Sequence, residues 1–411
     1  MRKENKKPIQ NKYIKHNNLD KIGEIPLYYG FFPHESPEIK KIDIDNARNL
    51  LDGDFIDNIE DKEKSILPLH VEEKIALLRK YNEENMQNMN QPVMIYFKDS
   101  FKTFNKKEYT PYSKYCDLEI LGNSRSIAEA TLIQTAKTIL KEEGYNNICV
   151  EINSIGDKDS IIKFARDLTN HYKKNINDLH PECRQLFKKD PFELLGCQID
   201  KCKKINEDAP KSIEFLSELS RIHFQEVLEY LEALDIDYKI NNRLIGNRKY
   251  CTETIFRIMN LDTDKKAKNE KILAIGVRYD GLSKKLGIKK EIQGIGISLL
   301  IKGNKSELRK ELKKTKKPFS SFVQLGFESK LLSLSIIESL RQVKIPLYLS
   351  LSKDRLGAQV SIAEKQNILY SIIMGKKEAI EKTVVVRNID TYAQEIVSID
   401  ELSKYMKKLE K

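Results

Sequence analysis

The segment ILAIGVRYDGLSKKLGIKKEIQGIGISLLI, residues 272–301, decides the fold of the first part of the chain. It contains a short apolar run at 272–277 and a glycine-rich apolar run at 292–301, and both are typical of strands. A third strand pattern lies just upstream, at 250–258. Because these consecutive strands have little helix between them, antiparallel pairing and an α+β fold are expected.

The motif RYDGL, residues 278–282, stands between the two apolar runs. A charged Arg-Tyr-Asp triplet closed by glycine between two strands suggests a ligand pocket. The same residues also fit a purely structural turn, shaped by Asp280 and Gly281, with Arg278 as a salt-bridge partner. The residues alone leave both interpretations open.

Composition indicates a folded protein of more than one domain. The chain has 411 residues, of which 40% are hydrophobic and 32% charged. A net charge of +11 favours an anionic partner such as nucleic acid, although a general excess of Lys would give the same value. Apolar runs do not reach the roughly 18 to 20 residues of a membrane helix, and six sparse Cys fit a reducing compartment, so a cytoplasmic protein without a membrane partner is expected.

Periodicity and charge divide the chain into four segments. Residues 1–20 are expected to form a basic disordered arm, and residues 303–317 a charged linker. Between them, residues 21–302 are expected to form the α+β domain, with a mostly helical region near 158–232. Strands spaced by helices predict a small α/β domain with a mostly parallel sheet at 318–411.

Several motifs occur in an order that carries a family resemblance. They are INSIGD at 152–157, PFELLGCQIDKC at 191–202, RKYCTETIF at 248–256, RYDGL and the glycine-rich run, followed by MGKKEAIEKTVVVRNIDTYAQEIVS at 374–398. Together they resemble the histidyl-tRNA synthetase family of class II aminoacyl-tRNA synthetases, and the likeness runs from about residue 25 to the end. The resemblance implies a catalytic-like antiparallel sheet that holds ATP and histidine, a helical insertion, an anticodon-binding domain and a homodimer.

The resemblance also predicts a shortage of cations. Adenylation builds negative charge on phosphate, which Arg stabilises best because its planar group binds in two places and stays protonated. The family motif Phe-Arg-x-Glu is FKTF at 101–104, which keeps only Lys102. A second family Arg falls on Gly246, with Lys249 at the position of an Asp, and the run ISLLI at 297–301 has no cation.

The histidine pocket of the family is matched only in part. The Glu that receives the substrate ammonium falls on Leu69, and a Phe-x-Gln stretch becomes Ser113-Lys114-Tyr115. The matching positions, which the resemblance makes remnants of a histidine and ATP pocket, are Glu119, Tyr250, Thr252, Arg278, Tyr279 and Asp280.

Three functions stay open at this point. The first is a catalytically impaired relative that binds tRNA or a related RNA, or regulates another protein. The second is an active histidine-tRNA ligase using ATP and Mg, with Lys102 and Arg248 as substitute catalytic cations; no cofactor is expected otherwise. The third is a regulatory subunit of a metabolic enzyme, against which the preserved C-terminal domain weighs.

In the C-terminal domain, the expected tRNA-binding positions are Arg355, Gly375, Glu378, Arg387 and Gln394. Neighbouring lysines add positive charge, but a solvated Lys-rich surface would have the same composition.

Three cysteines form the remaining candidate site. Cys183, Cys197 and Cys202, with His180 nearby, have the spacing H-x2-C-x13-C-x4-C. The spacing lacks the paired CxxC that makes a zinc signal specific, so no metal is assigned and zinc stays open.

Overall fold

The computed structural model describes residues 13–16, 19, 21–51, 71–98, 113–197, 199–261, 271–302, 313–349 and 355–410. Contacts group the chain into two compact units. The larger unit comprises His34–Glu108 and Lys114–Ile301, and the smaller comprises Met1–Pro33, Tyr109–Ser113 and Lys302–Lys411.

The strands are β1 Tyr13–His16, β2 Phe32–Pro33, β3 Val93–Lys98, β4 Ser113–Leu121, β5 Ile148–Gly156, β6 Tyr238–Ile240, β7 Thr252–Asn260, β8 Lys271–Arg278, β9 Gly294–Lys302, β10 Lys313–Lys316, β11 Ser320–Gln324, β12 Leu347–Leu349, β13 Tyr370–Met374, β14 Thr383–Asn388 and β15 Gln394–Ser398. The α-helices are α1 Lys21–Tyr28, α2 Lys41–Leu50, α3 Val71–Glu83, α4 Ile127–Glu142, α5 Lys158–Lys174, α6 Pro181–Lys189, α7 Asp200–Glu207, α8 Glu218–Ala233, α9 Leu282–Lys285, α10 Phe327–Gln342, α11 Leu356–Lys365, α12 Lys376–Glu381 and α13 Ile399–Leu409. Short 3-10 helices lie at Met86–Asn88, Pro191–Gly196 and Ser212–Phe215.

The larger unit is built on one mixed but mainly antiparallel sheet. Its strands follow the order β3-β4-β9-β8-β7-β5-β6. Antiparallel pairing joins β3 to β4, β5 to β7, and β8 to both β7 and β9, whereas β5 and β6 run parallel. The expected α+β class is confirmed, because the strands around RYDGL pair directly with their neighbours in sequence.

Helices pack on this sheet and extend from it. The apolar residues that recur at helical spacing along α4, namely Ile127, Ala130, Ile133, Ala136 and Leu140, are all buried. The predicted helical insertion is present as α5 to α8 with two of the short 3-10 helices. Helix α5 is capped by Asp157, whose Oδ1 accepts a hydrogen bond from the backbone N of Ser160 at 2.9 Å.

The smaller unit contains a mixed sheet with the order β12-β11-β13-β14-β15. Strand β11 is parallel to β12 and β13, whereas β14 is antiparallel to β13 and β15. The expected parallel character therefore holds for only half of the sheet. The link from β13 to β14 holds only the six-residue helix α12, which is too short for a parallel crossover.

Two short strands lie where the sequence suggested irregular chain. Tyr13–His16 from the expected arm pairs antiparallel with Lys313–Lys316 from the expected linker. Helix α1 also packs in this unit, against α10. The hydroxyl of Tyr29, just after α1, donates to Oε2 of Glu338 at 2.6 Å.

Among the described residues, the helices are all too short or too polar to cross a membrane.

Candidate active site and RNA-binding domain

The guanidinium of Arg278 is completely buried at the end of β8. Its Nε and Nη2 each lie 2.7 Å from a different carboxylate oxygen of Glu129 on α4. Its Nη1 donates to the backbone oxygen of Asn123 at 2.9 Å. These contacts hold the arginine in one geometry and neutralise its charge within the protein.

Glu129 is the centre of a buried charge network. The Nε2 of His223 on α8 lies 2.8 Å from Oε1 of Glu129. Burial would raise the pKa of Glu129, but Arg278 and His223 outweigh burial and lower this pKa to about 2. Burial likewise would lower the pKa of His223, but the carboxylate of Glu129 raises it above its ordinary value. The network therefore favours a charged carboxylate and a protonated imidazole.

Asp280 and Gly281 shape the turn after Arg278. Oδ1 of Asp280 accepts a hydrogen bond from the backbone N of Gly294 at 2.8 Å. The backbone N of Asp280 donates to Oγ1 of Thr252 at 3.1 Å. Gly281 has φ +80, which favours glycine. These contacts are those of the structural turn considered for RYDGL.

The middle residue of the triplet points to a second buried cluster. The hydroxyl of Tyr279 donates to Oε2 of Glu119 at 2.7 Å. Lys74 of α3 donates from Nζ to Oε1 of the same carboxylate. The ammonium also lies 5.6 Å from the centroid of the Tyr279 ring, within range of a cation-π contact. The side chains of Lys74 and Glu119 are only 5% and 2% exposed, so this ion pair is removed from water.

The glycine-rich strand β9 makes room for this cluster. A Cβ at Gly294 would overlap the ring of Tyr279, and a Cβ at Gly296 would overlap the carboxylate of Glu119. Glycine is needed at both positions because the backbone of β9 passes directly over these side chains.

Further acidic groups surround the Lys74 ammonium. Burial alone would lower the pKa of Lys74, but Glu119 and Asp117 outweigh burial and raise it. Burial and the charge of Asp117 raise the pKa of Glu73 well above its usual range. Tyr250 is also buried, and burial raises the pKa of its hydroxyl, with smaller contributions from nearby groups that include Glu73. The buried ammonium of Lys74 therefore lies among several carboxyl groups.

In the smaller unit, the expected tRNA-binding residues lie at element ends. Gly375 and Glu378 form the start of α12, where Oε2 of Glu378 accepts from the backbone N of Gly375 at 2.9 Å. Arg387 and Gln394 are paired neighbours on β14 and β15. The guanidinium carbon of Arg387 lies 5.0 Å from the centroid of the Tyr392 ring.

The remaining expected position, Arg355, is exposed at the start of α11. The exposed ring of Tyr392, the exposed Arg355 and the half-buried Arg387 are the kinds of side chain that contact RNA bases and phosphates.

Comparison with known proteins identifies the group to which this chain is related. Residues 324–409 match the model of an anticodon binding domain. The histidine--tRNA ligase of Caldanaerobacter subterraneus subsp. tengcongensis is 26% identical over 352 residues, which cover 84% of this chain and 83% of that protein. The histidine--tRNA ligase of Staphylococcus saprophyticus subsp. saprophyticus is 28% identical over 354 residues, covering 85% and 84%. The chain belongs to the class II histidyl-tRNA synthetase family.

A solved structure also aligns over most of the chain. The apo histidyl-tRNA synthetase of S. aureus covers 93% of this chain and 93% of its own, at 22% sequence identity and a TM-score of 0.49.

The cations expected to replace the family arginines can now be located. Arg248 forms an ion pair with Asp190, and its guanidinium carbon lies 3.7 Å from the centroid of the Phe192 ring. Both partners belong to the helical insertion, which engages the charge of Arg248 locally. Lys102 lies outside the described residues, as does Leu69.

Gly246 stands at the position of a family arginine, and its neighbours leave no room there for a side chain. A Cβ there would lie 2.7 Å from Sγ of Cys251 and 3.1 Å from Cδ1 of Ile255. On β9, Leu300 and Ile301 are buried and apolar. Arg257 on β7 pairs with Glu151, with Nε 2.7 Å from Oε2. Within the described ranges, Arg257 and Arg278 of the sheet are thus both held by carboxylates, which does not suit a triphosphate site.

Sequence patterns do not identify the buried residues that pair with Glu119 and Arg278. Lys74, Glu129 and His223 belong to no motif quoted above. Lys74 carries a usable signal, because it lies three residues after Val71 and four before Leu78, on the apolar face of α3. Glu129 and His223 carry none, since their partners are distant in sequence.

Proposed function

We propose that this chain is a histidyl-tRNA synthetase-like protein with impaired adenylation that binds tRNA or a related RNA. The observation that carries the proposal is the engagement of Lys74, Arg278 and Arg248 by carboxylates of the protein itself. A cation whose charge is neutralised by a fixed partner has little attraction left for phosphate.

The expected loss of rate is large. Removing a single group that stabilises developing negative charge typically lowers kcat by about 10²- to 10³-fold. In this chain several such groups are replaced, at Gly246 and in the strand segment 297–301. The triphosphate of ATP would need cations other than Lys74, Arg248 and Arg278, since carboxylates of the protein already engage these three.

Histidine binding is also expected to be weak. Glu119 is the carboxylate that the resemblance assigns to the amino-acid pocket, and its oxygens are occupied by Lys74 and Tyr279. An incoming ligand would have to displace an ammonium that is covalently part of the chain. Since breaking a buried ion pair typically costs about 3 to 5 kcal/mol, a free amino acid competes poorly.

RNA binding is supported by the C-terminal unit and by net charge. The match to an anticodon binding domain spans residues 324–409, and the chain carries a net charge of +11. Neutralising phosphates releases counterions, so affinity for RNA should fall steeply with salt. Dimerisation, which the resemblance implies, is part of the same proposal.

Two assays on the full chain test the two halves of this proposal. Binding of labelled tRNA at increasing salt should show a steep linear fall of log affinity with log salt. Charging of the same tRNA with histidine should stay far below that of an active ligase assayed in parallel. Charging at ordinary rates would overturn the proposed impairment, whereas absent tRNA binding at low salt would overturn the RNA-binding role.

A working ligase is the second candidate, since the matched relatives are histidine--tRNA ligases aligned over most of their length. It would need Lys102 as a phosphate-binding cation. Lys102→Ala would then abolish charging, whereas in a protein with impaired adenylation it leaves charging at the same low level.

A further inference from the structure

Three thiols meet inside the helical insertion. The Sγ atoms of Cys183, Cys197 and Cys202 all lie within 4.8 Å of one another, and those of Cys183 and Cys197 are 3.3 Å apart. All three are free cysteines. Cys183 and Cys202 are buried, whereas Cys197 is partly accessible, so the cluster has one side through which an ion could enter.

The thiols come from three separate elements. Cys183 lies on α6, Cys197 follows the 3-10 helix Pro191–Gly196, and Cys202 lies on α7. Around them packs a small apolar cluster that includes Phe164, Leu168, Tyr172, Phe192 and Leu194. These short elements have few apolar residues of their own, a situation in which a metal ion commonly stabilises small folds.

We propose that Cys183, Cys197 and Cys202 bind one zinc ion, which links α6, α7 and the 3-10 helix between them. Zinc bonds thiolate at about 2.3 Å in a tetrahedron, which places its sulfur ligands about 3.8 Å apart. The Sγ separations in this cluster, 3.3 Å for Cys183 and Cys197 and at most 4.8 Å for the other pairs, need only small shifts to reach that value. Binding displaces the thiol protons, and the ion then adds its binding free energy to the stability of the insertion.

A bound zinc ion accounts for a cysteine at all three positions better than a disulfide does. A disulfide would join two of the thiols and leave the third without a role. A zinc ion uses all three and accepts a fourth ligand. His180, at the start of α6, is suited to be that ligand, because its Nδ1 is buried and makes no hydrogen bond within the described part of the chain. His180 lies outside the thiol cluster in this structure, so its ring would turn inward on binding, or water would take the fourth place.

Metal content of the full chain tests the proposal. Protein purified from zinc-supplemented culture, in reducing buffer, should contain about one zinc per chain by elemental analysis. Cys183→Ser, Cys197→Ser and Cys202→Ser should each lower this content strongly. Cys149→Ser is the matched control, because Cys149 is buried in β5, outside the cluster, and its replacement should leave zinc unchanged.

Cobalt loading of the wild type provides a readout that needs no variant, and two folded variants then identify the ligands. Wild-type protein stripped of zinc and loaded with Co²⁺ should show the intense absorption of thiolate-to-cobalt charge transfer and tetrahedral ligand-field bands. Cys197→Ser removes the most accessible thiol and should weaken these bands while the circular dichroism spectrum is retained. His180→Ala should shift the ligand-field bands if the imidazole is the fourth ligand.

The proposal is overturned if zinc in the wild type does not exceed that in the cysteine variants, or if Co²⁺ gives no thiolate bands. It is also overturned if mass spectrometry of protein kept in reducing buffer shows Cys183 joined to Cys197. Failure to bind tRNA would not affect it, since the two sites lie in different units.

Discussion

Arg278 and Glu129 form a buried two-point ion pair, in which Nε and Nη2 each lie 2.7 Å from a separate carboxylate oxygen. The residues are 149 positions apart in sequence. The pair fixes β8 against α4 and holds the charge that the RYDGL motif brings into the interior. The motif therefore serves the fold directly, whatever ligand role Tyr279 or Asp280 retains.

Replacing Arg278 by Lys should destabilise the protein despite keeping the charge. Lysine has no planar fork, so it cannot bond both oxygens of Glu129 and also reach the carbonyl of Asn123. We expect the free energy of unfolding, measured by urea denaturation, to fall by about 2 to 5 kcal/mol. Arg221→Lys is the control, because its pair with Glu218 is exposed and little change is expected. Equal effects of the two substitutions would contradict this account.

Removing the internal ammonium should have a comparable effect on stability. Lys74→Met leaves Glu119 buried without its cation, which typically costs about 3 to 5 kcal/mol. Adding Glu119→Gln should recover part of this cost, since the carboxylate that accepts the hydrogen bond of Lys74 is then replaced by a neutral amide. Lys80→Met on the same helix is the control, because Lys80 pairs with Glu84 near the surface. If the effects of the Lys74 and Glu119 substitutions on the free energy of unfolding simply add, the ion pair does not contribute to stability.

The pair of His223 and Glu129 predicts a particular pH dependence. The pKa of His223 is raised above 6.5 in the folded protein, by Glu129 with help from Glu253 and against burial and Arg278. A raised folded-state pKa adds stability at pH values below the unfolded pKa, and this contribution disappears as pH rises through the folded pKa.

We therefore expect wild type to be more stable than His223→Gln below pH 6.5, with a difference that narrows in alkaline solution. Chemical unfolding of both proteins across this range measures it. Parallel stability curves would mean that the imidazole does not carry a proton in the network.

RNA affinity should respond to the arginines of the C-terminal unit. Arg387→Ala and Arg355→Ala are expected to weaken tRNA binding and to reduce the salt slope by about 0.7 to 0.9 for each phosphate that the protein no longer neutralises. Arg166→Ala, on the insertion helix α5 and highly exposed, is the control and should leave the slope unchanged. Filter binding over a salt series gives both quantities. An unchanged slope for both C-terminal variants would place the RNA elsewhere on the chain.

Local sequence patterns predict much of the fold because they act over short distances. The strands around RYDGL, the face of α4 and the helices of the insertion follow from apolar periodicity. The mixed sheet of the smaller unit does not follow from apolar periodicity. The antiparallel pairing of β13 with β14 depends on the short link through α12. The strand Tyr13–His16 is not predictable either, because its partner lies about three hundred residues away.

The site is less predictable than the fold for a related reason. Family likeness draws attention to Arg278, Tyr279 and Glu119, but not to the groups that neutralise them. The buried ammonium of Lys74 neutralises the carboxylate of Glu119, and only the tertiary structure reveals this contact. Arg248 looks available in sequence, yet Asp190 and Phe192 of the insertion engage it.

Pyrophosphate exchange with histidine and ATP tests the central claim most directly, because it reports adenylation without any need for tRNA. With an active histidine-tRNA ligase as a parallel standard, we predict no histidine-dependent exchange above background for the wild type, and no change for Lys102→Ala. Histidine-dependent exchange at a rate near that of the standard, abolished by Lys102→Ala, would contradict the account and identify the chain as a working ligase.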